Sequence, residues 1–262
     1  MILDQFKLDD QVAIVTGASR GIGRGIARGF AQAGAHVVGA ARTEETLAEM
    51  VKEVEGLGRT AVGLPCDVND VSNLDALVEA TLEKFGRIDI LVNNAGGTPP
   101  TPLLQLKDKS FEEAFHFNVT TAMHLSRECV RHMVDRGEGG SIINISSGLG
   151  HLVEPGFVAY GTAKAALSHM TRLMAHELAP HVRVNALAVG ATLTDSLGMF
   201  LNEDIQQQMC DLTPMGRLGT VEDIAQAALY LASPASSWVT GKIVEVDGGT
   251  IASNWPLDLS GM

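Results

Sequence analysis

Val12-Ala-Ile-Val-Thr16, followed at once by Gly17-Ala-Ser-Arg-Gly-Ile-Gly23, decides how this chain folds. The first five residues are apolar or β-branched without helical spacing, the pattern of a buried strand. Glycines at 17, 21 and 23 let the backbone turn sharply and approach a ligand with no Cβ in the way. Residues 24–33 then carry a helical pattern. The start of that helix offers unpaired N–H groups and the positive end of a dipole to a pyrophosphate. A strand, a glycine turn and a helix in immediate succession predict a dinucleotide-binding unit; a tight structural turn is the alternative.

The same alternation continues outward. His36–Ala41 reads as the second strand. In dinucleotide folds the end of this strand faces the adenosine ribose, and an acidic residue there binds the 2′-hydroxyl. Here Ala41 is followed by Arg42, so no carboxylate repels a 2′-phosphate and a guanidinium is available to bind one. Arg20 in the glycine loop adds a second cation, and NADP(H) is favoured over NAD(H). Thr43 is placed to cap a helix over 44–57, residues 60–65 form a strand ending at Cys66-Asp67-Val68, and Asp67 can accept from the adenine amino group. Val71–Phe85 is an amphipathic helix, and 88–92 is a strand running into Asn93-Asn-Ala-Gly-Gly97. A Pro-rich loop leads to a long helical stretch over 110–136 with Asn118 in its middle, where Asn competes for backbone hydrogen bonds. Residues 141–146 form the next strand, Val158–Leu178 a helix and 183–188 a sixth strand. Val221–Ala232 is a helix and 242–246 a seventh strand. The expected fold is α/β: a Rossmann-type, doubly wound parallel sheet of about seven strands with helices on both faces. It is expected to be a single domain over 1–262 with a substrate lid around 194–215. Ligands in such sheets bind beyond the strand C-terminal ends, where the glycine loop, Asn93-Asn-Ala-Gly96, Ser147 and Val189-Gly190 all fall.

Tyr160 and Lys164 lie four positions apart in Tyr160-Gly-Thr-Ala-Lys164, on one face of the predicted helix. A free phenol has a pKa near 10, and an ammonium one turn away favours the phenolate. Ser146-Ser147 closes the strand upstream, so hydroxyl, phenol and ammonium can converge on one carbonyl oxygen.

Composition narrows the function. The formal net charge is −12, which repels phosphate backbones and argues against nucleic acid as a partner. The apolar runs are far shorter than the roughly 20 residues of a membrane helix, so no membrane partner is expected. The first ten residues lack the pattern of a secretion signal, and a cytoplasmic location is expected. Cys66, Cys129 and Cys210 are isolated, with no ligand spacing to any His, and no metal site is expected.

With these residues in order, the chain resembles the short-chain dehydrogenase/reductase family over almost its whole length. The motifs that carry the resemblance are Thr16-Gly-Ala-Ser-Arg-Gly-Ile-Gly23, Asp67-Val68, Asn93-Asn-Ala-Gly96, Asn118, Ser147, Tyr160-Gly-Thr-Ala-Lys164, Arg183-Val-Asn185 and Val246-Asp-Gly-Gly249. The resemblance implies a catalytic set of Asn118, Ser147, Tyr160 and Lys164. Tyr160 would be the general acid or base, and Lys164 would lower its pKa and bind the nicotinamide ribose. Ser147 would hold the carbonyl oxygen, and Asn118 would kink its helix and keep a water for a proton relay. Family spacing from Ser to Tyr, 147 to 160, selects Ser147 over Ser146. The implied cofactor contacts are Gly17, Ser19, Arg20, Gly21, Ile22 and Gly23 in the first loop, Arg42, Asp67 and Val68, then Asn94, Ala95 and Gly96. Gly190, Thr192 and Thr194 follow, and Tyr160 and Lys164 are shared with the catalytic set. Val189 stands where the family usually has proline, which restores an N–H and frees φ, so a looser or differently bonded turn is expected there.

The resemblance implies hydride transfer between NADP(H) and a carbonyl or secondary alcohol, by a homotetramer acting on a small molecule. The segments 97–106, 148–157 and 194–215 are expected to set the substrate, the last bringing the apolar Leu197, Met199, Phe200 and Leu201. Residues 193–197 and 213–219 are similar to both 3-oxoacyl-thioester reductases and bacterial hydroxysteroid dehydrogenases. A 3-oxoacyl-type ketone ranks first, a hydroxysteroid second, and a non-catalytic dinucleotide sensor is the alternative of another class. The tail over 254–262 is too apolar to float freely and is expected to cover the chain's own body or a neighbour's active site.

Overall fold

The computed structural model describes residues 1–198 and 201–256. Its frame is a seven-stranded sheet in the order β3-β2-β1-β4-β5-β6-β7. The strands are β1 Val12–Thr16, β2 His36–Ala41, β3 Ala61–Pro65, β4 Ile90–Asn93, β5 Gly140–Ser147, β6 Val182–Val189 and β7 Ile243–Val246, every neighbouring pair parallel. The order runs outward from β1 in both directions, so β1 and β4 flank the crevice where crossovers part to opposite sides. The doubly wound sheet expected from the alternation is the observed one.

The helices are α1 Gly21–Gln32, α2 Glu44–Gly56, α3 Val71–Phe85, α4 Asp108–Phe115, α5 Thr121–Asp135, α6 Val158–Leu178, α7 Asp195–Gly198, α8 Glu203–Asp211 and α9 Val221–Ala232. Successive residues of β1 face opposite ways, as the strand period demands. Ala13 and Val15 pack with Ile26, Phe30, Leu47 and Ile224 under α1, α2 and α9. Val12 and Ile14 pack with Leu74, Leu77, Leu125 and Met133 under α3 and α5. Both faces of the strand are therefore dry, which is why its sequence reads as an unbroken apolar run.

Two local expectations are corrected. The stretch over 110–136 is not one helix. A π-turn, His116–Thr120, separates α4 from α5. The Nδ2 of Asn118 donates to the Ala114 carbonyl at 2.9 Å, competing for the acceptor that the next turn of α-helix would use. Thr43 precedes α2 but its side chain does not cap it; instead Thr46 Oγ1 donates to the Thr43 carbonyl at 3.2 Å.

A buried polar chain holds the helix side to the sheet below the crevice. Asn93 Nδ2 donates to Asn144 Oδ1 and to Ser126 Oγ, both at 2.9 Å, and Asn144 Nδ2 donates to Thr171 Oγ1 at 2.9 Å. Asn144 and Thr171 are fully buried. Thr171→Val keeps the shape and leaves the Asn144 amide without that acceptor. It should cost about 1–3 kcal/mol in urea unfolding; a loss well under 0.5 kcal/mol, roughly the scatter of a neutral surface change, would show that α6 does not need this bond.

Candidate active site

The strand C-terminal ends open into one cleft of about 850 Å³. At its floor the backbone passes close to itself. Gly17 and Gly21 take the left-handed φ values of 66° and 52° that glycine adopts freely. Thr16 Oγ1 accepts from the N–H groups of both Asn94 and Ala95 at 3.0 Å, and Asn94 Nδ2 donates to the Thr16 carbonyl at 2.9 Å. These bonds tie the first loop to the end of β4. Of the residues expected in that loop, Gly17, Ser19, Arg20, Gly21 and Ile22 line the cleft. Gly23 does not. A Cβ there would lie 2.2 Å from the Gly17 carbonyl oxygen, so its task is to let α1 pack against the turn.

Arg42, Asp67 and Val68 line one end of the cleft. Arg20 and Arg42 are exposed, and neither forms an ion pair among the described residues. Asp67 Oδ1 accepts from the backbone N–H and the Nδ2 of Asn69, both at 3.1 Å. Cys66 lines the same end, and burial pushes its thiol up to about 11, so it is neutral at pH 7. Asn94, Ala95 and Gly96 line the middle, and Gly190, Thr192 and Thr194 the opposite side. The Asn94 amide is spent on the glycine turn.

Ser147, Tyr160 and Lys164 meet at the other end. Lys164 is buried, and its Nζ donates to the Ile145 carbonyl at 2.8 Å. It lies 5.7 Å from the centroid of the Tyr160 ring. Burial pushes its amine down to about 8. Burial also raises the Tyr160 phenol above its ordinary value, while hydrogen bonding to Ser147 pulls the other way. Lys164 donates one of its three N–H groups to Ile145, and burial is the larger influence on the phenol. Ser147 Oγ also accepts from Leu149 N at 3.2 Å, which leaves its own O–H as a donor.

Asn118 is buried one layer behind the cleft. Its Oδ1 accepts from Gly97 N at 2.9 Å. A Cβ on Gly96 would come within 2.7 Å of that oxygen and 3.1 Å of Lys164 Nζ, so glycine alone lets the two groups approach across the loop. Ser146 is turned to α6, bonded to the Lys164 carbonyl at 3.1 Å and to Ser168 Oγ at 2.8 Å.

Val189 does not loosen its turn. It is paired with Ser147 on one side and Val246 on the other, and Gly190 N donates to the Val246 carbonyl at 3.0 Å. Of the three segments expected to set the substrate, 148–157 contributes Leu149, Leu152 and Phe157, and 194–215 contributes Leu197 and Met209. Met199 and Phe200 lie outside the described residues. The segment 97–106 instead lines a neighbouring cleft against α4. Sequence reading missed Phe117 and placed the tail only as a cover; Ala252, Ser253, Asn254 and Trp255 line the chain's own cleft, and Leu257 lies outside the described residues. Apolar character was the only signal in that tail. Elsewhere, Asp75, His124 and Glu128 bring possible ligand atoms within 4.8 Å of one another, but Arg127 and Arg131 already pair with Glu128.

Residues 17–250 match the family model described as enoyl-(acyl carrier protein) reductase. The chain is 41% identical over 249 residues to 7alpha-hydroxysteroid dehydrogenase of Escherichia coli (strain K12), across 95% of this chain and 97% of that one. It is 36% identical over 246 residues to 3-oxoacyl-[acyl-carrier-protein] reductase of Thermotoga maritima, across 94% and 99% of the two chains. A solved 7 alpha-hydroxysteroid dehydrogenase complexed with NADH and 7-oxo glycochenodeoxycholic acid superposes with a TM-score of 0.92 at 41% identity, covering 95% of this chain and 97% of that one.

The Lys164 shift has a consequence for stability. An unfolded lysine titrates near 10.4, whereas the folded amine titrates at about 8. Below pH 8 the folded chain carries the full burden of a buried ammonium. As pH rises from about 8 to about 10.4 the unfolded chain binds more protons than the folded one, and that burden is lifted. In urea titrations, stability relative to Lys164→Met should therefore rise between pH 8 and 10; a flat difference would mean that this amine is not desolvated.

Proposed function

We propose that this chain, which belongs to the short-chain dehydrogenase/reductase family, is an oxidoreductase that uses NADP(H) to interconvert an apolar ketone and its secondary alcohol. The observation that carries the reading is the meeting of Ser147, Tyr160 and Lys164 at one end of a cleft whose other end holds two guanidiniums with no ion pair among the described residues. The residues fit a dinucleotide. The glycine loop leaves its backbone bare, and a Cβ on Gly17 would come within 2.7 Å of Asn94 Nδ2, so the cradle admits no side chain. Ser19, Gly21 and Ile22 would take the pyrophosphate at the α1 N-terminus. Arg20 and Arg42 would take a 2′-phosphate, and Lys164 and Tyr160 the nicotinamide ribose. When bound, the nicotinamide supplies or accepts the hydride.

The protein's own part is positional and electrostatic. Ser147 donates a hydrogen bond to the substrate oxygen, stabilising negative charge as it develops. Tyr160 is protonated at neutral pH, since a phenol titrates near 10 and burial raises it further. It delivers that proton to the oxygen in reduction and removes it in oxidation. Lys164 brings positive charge to the phenol when it leaves the Ile145 carbonyl, and Asn118 holds the loop at Gly97 that separates the two. Leu149, Leu152, Phe157, Leu197 and Met209 make the substrate half apolar, with α7 and α8 as its lid. This lining and the likeness to a hydroxysteroid dehydrogenase favour a broad fused-ring ketone over the 3-oxoacyl chain that ranked first on sequence alone. The 3-oxoacyl ketone remains the second reading, favoured by the likeness to a reductase of that class. Exposed Phe115, Met123 and Leu173 on α4, α5 and α6 support the expected homotetramer.

A spectrophotometric screen of ketones and alcohols with NADPH/NADP and NADH/NAD in parallel tests the reading. Nucleotide binding with no turnover of any ketone would favour a dinucleotide sensor instead. Tyr160→Phe should lower kcat by about 10²–10⁴-fold with cofactor affinity retained; unchanged turnover would remove Tyr160 from the chemistry. Arg42→Ala should weaken NADPH by roughly tenfold or more, the worth of a hydrogen bond to a charged group, and leave NADH nearly unchanged in fluorescence titrations. Equal effects on both nucleotides would remove the 2′-phosphate from Arg42.

A further inference from the structure

The C-terminal strap closes the substrate half of the cleft within its own chain. Ala252, Ser253, Asn254 and Trp255 all line the cleft. Two side-chain bonds shape this strap. Asn254 Nδ2 donates to Thr213 Oγ1 at 2.9 Å, and Trp255 N donates to Ser253 Oγ at 3.2 Å. Thr213 Oγ1 in turn donates to the Met209 carbonyl at 2.7 Å, and Met209 lines the cleft from α8. Strap and lid are thus joined through one threonine.

From the strap an aromatic line runs to the catalytic end. The Trp255 indole meets Phe157 edge-on with centroids 6.1 Å apart and planes at 80°. Phe157 meets the Tyr160 ring with centroids 6.2 Å apart and planes at 62°. The indole thus lies one ring beyond the Tyr160 end. The indole Nε1–H is enclosed and has no acceptor among the described residues. An enclosed donor without a partner favours any rearrangement that brings it one. Among the described residues one side-chain bond, from Asn254 to Thr213, ties the strap to α8 and its following turn, so a ligand that packs on the indole can shift it and offer an acceptor.

We propose that Trp255 is a specificity-determining residue that selects ketones with a broad, rigid apolar face over compact ones, by forming the wall of the substrate half that lies beyond Phe157. This rests on the oxidoreductase reading above. A flat indole matches a fused-ring surface with little entropy to lose, since it turns about two bonds only. A ketone of one small ring, reacting at the Tyr160 end, stops short of the indole and gains nothing from it.

The test uses the full chain with NADPH and two probes, a fused-ring steroid ketone and cyclohexanone. Trp255→Ala should lower kcat/KM for the steroid ketone by about tenfold or more, the scale of lost apolar contact in a specificity pocket, chiefly through KM. It should leave cyclohexanone and the Kd for NADPH within about threefold, below the effect of one lost methylene contact. Trp255→Phe keeps a flat ring and should recover most of the preference, which guards against a misfolded alanine variant. Trp238 is 99% exposed, and the chain has two tryptophans, so Trp238→Phe leaves Trp255 as the sole indole reporter. Its emission should shift when the steroid ketone binds and stay still with cyclohexanone. Equal losses on both ketones, or no loss on the steroid ketone, would overturn the assignment while leaving the oxidoreductase reading intact. Wild-type protein that turns over neither these nor any other ketone would instead sink that reading, and this one with it.

Discussion

The clasp between β5 and α6 is the interaction on which the rest of the molecule depends. Lys164 reaches back from the helix to donate to the Ile145 carbonyl, and Ser146 reaches forward from the strand to the Lys164 carbonyl. Asn144, two residues earlier on the strand, adds its bond to Thr171. Three successive strand residues thus hold one helix. Their chemistry is polar, yet they are buried, and a buried polar group is tolerated only when it is paired. The pairing admits one register of helix on strand. That register puts Ser147, the next residue, beside Tyr160.

Backbone proximity is the second constraint. Thr16, Gly17, Gly23 and Asn94 meet where β1 and β4 part, and the contacts there leave room for hydrogen atoms only. The consequence is a loop whose N–H groups face outward over a helix end, with its own shape held by the Asn94 amide rather than by a ligand. Gly96 repeats the device on the other side, thin enough for Asn118 and Lys164 to approach through it. The π-turn at His116–Thr120 belongs to the same arrangement. Asn118 takes a helical carbonyl with its Nδ2 and so frees the geometry that lets its Oδ1 reach Gly97.

The cleft has two unlike ends. One is lined by Arg20, Arg42 and Asp67 and is open to water. The other is apolar, walled by segments from three separate parts of the chain: the loop before α6, the helices α7 and α8, and the strap after β7. Arginine charge at one end and an apolar wall at the other suit a long ligand whose anionic groups lie at the first end. Burial moves Tyr160 and Lys164 at the apolar end and the Cys66 thiol at the other.

Much of this was legible in the residues themselves. Hydrophobic period and glycine punctuation set the strand–helix alternation, because those signals are local and the sheet merely collects them. Tyr160 and Lys164 on one helix face could be read from their spacing, whereas the choice of Ser147 over Ser146 came from the family resemblance. Other features depended on contacts between distant segments. Nothing near Thr43 says that its hydroxyl will not cap, and nothing near Gly23 says that it faces Gly17 rather than a ligand. That burial raises the Tyr160 phenol depends on what packs around that helix face, which no neighbouring residue announces. The reach of Trp255 into the cleft depended on where the chain after β7 meets α8 and Thr213. Sequence alone determined the elements and the candidate chemistry, since these follow from neighbours along the chain; tertiary structure decided what is dry, what is paired and which side chains share a wall, since desolvation and hydrogen-bond partners are properties of space rather than of sequence order.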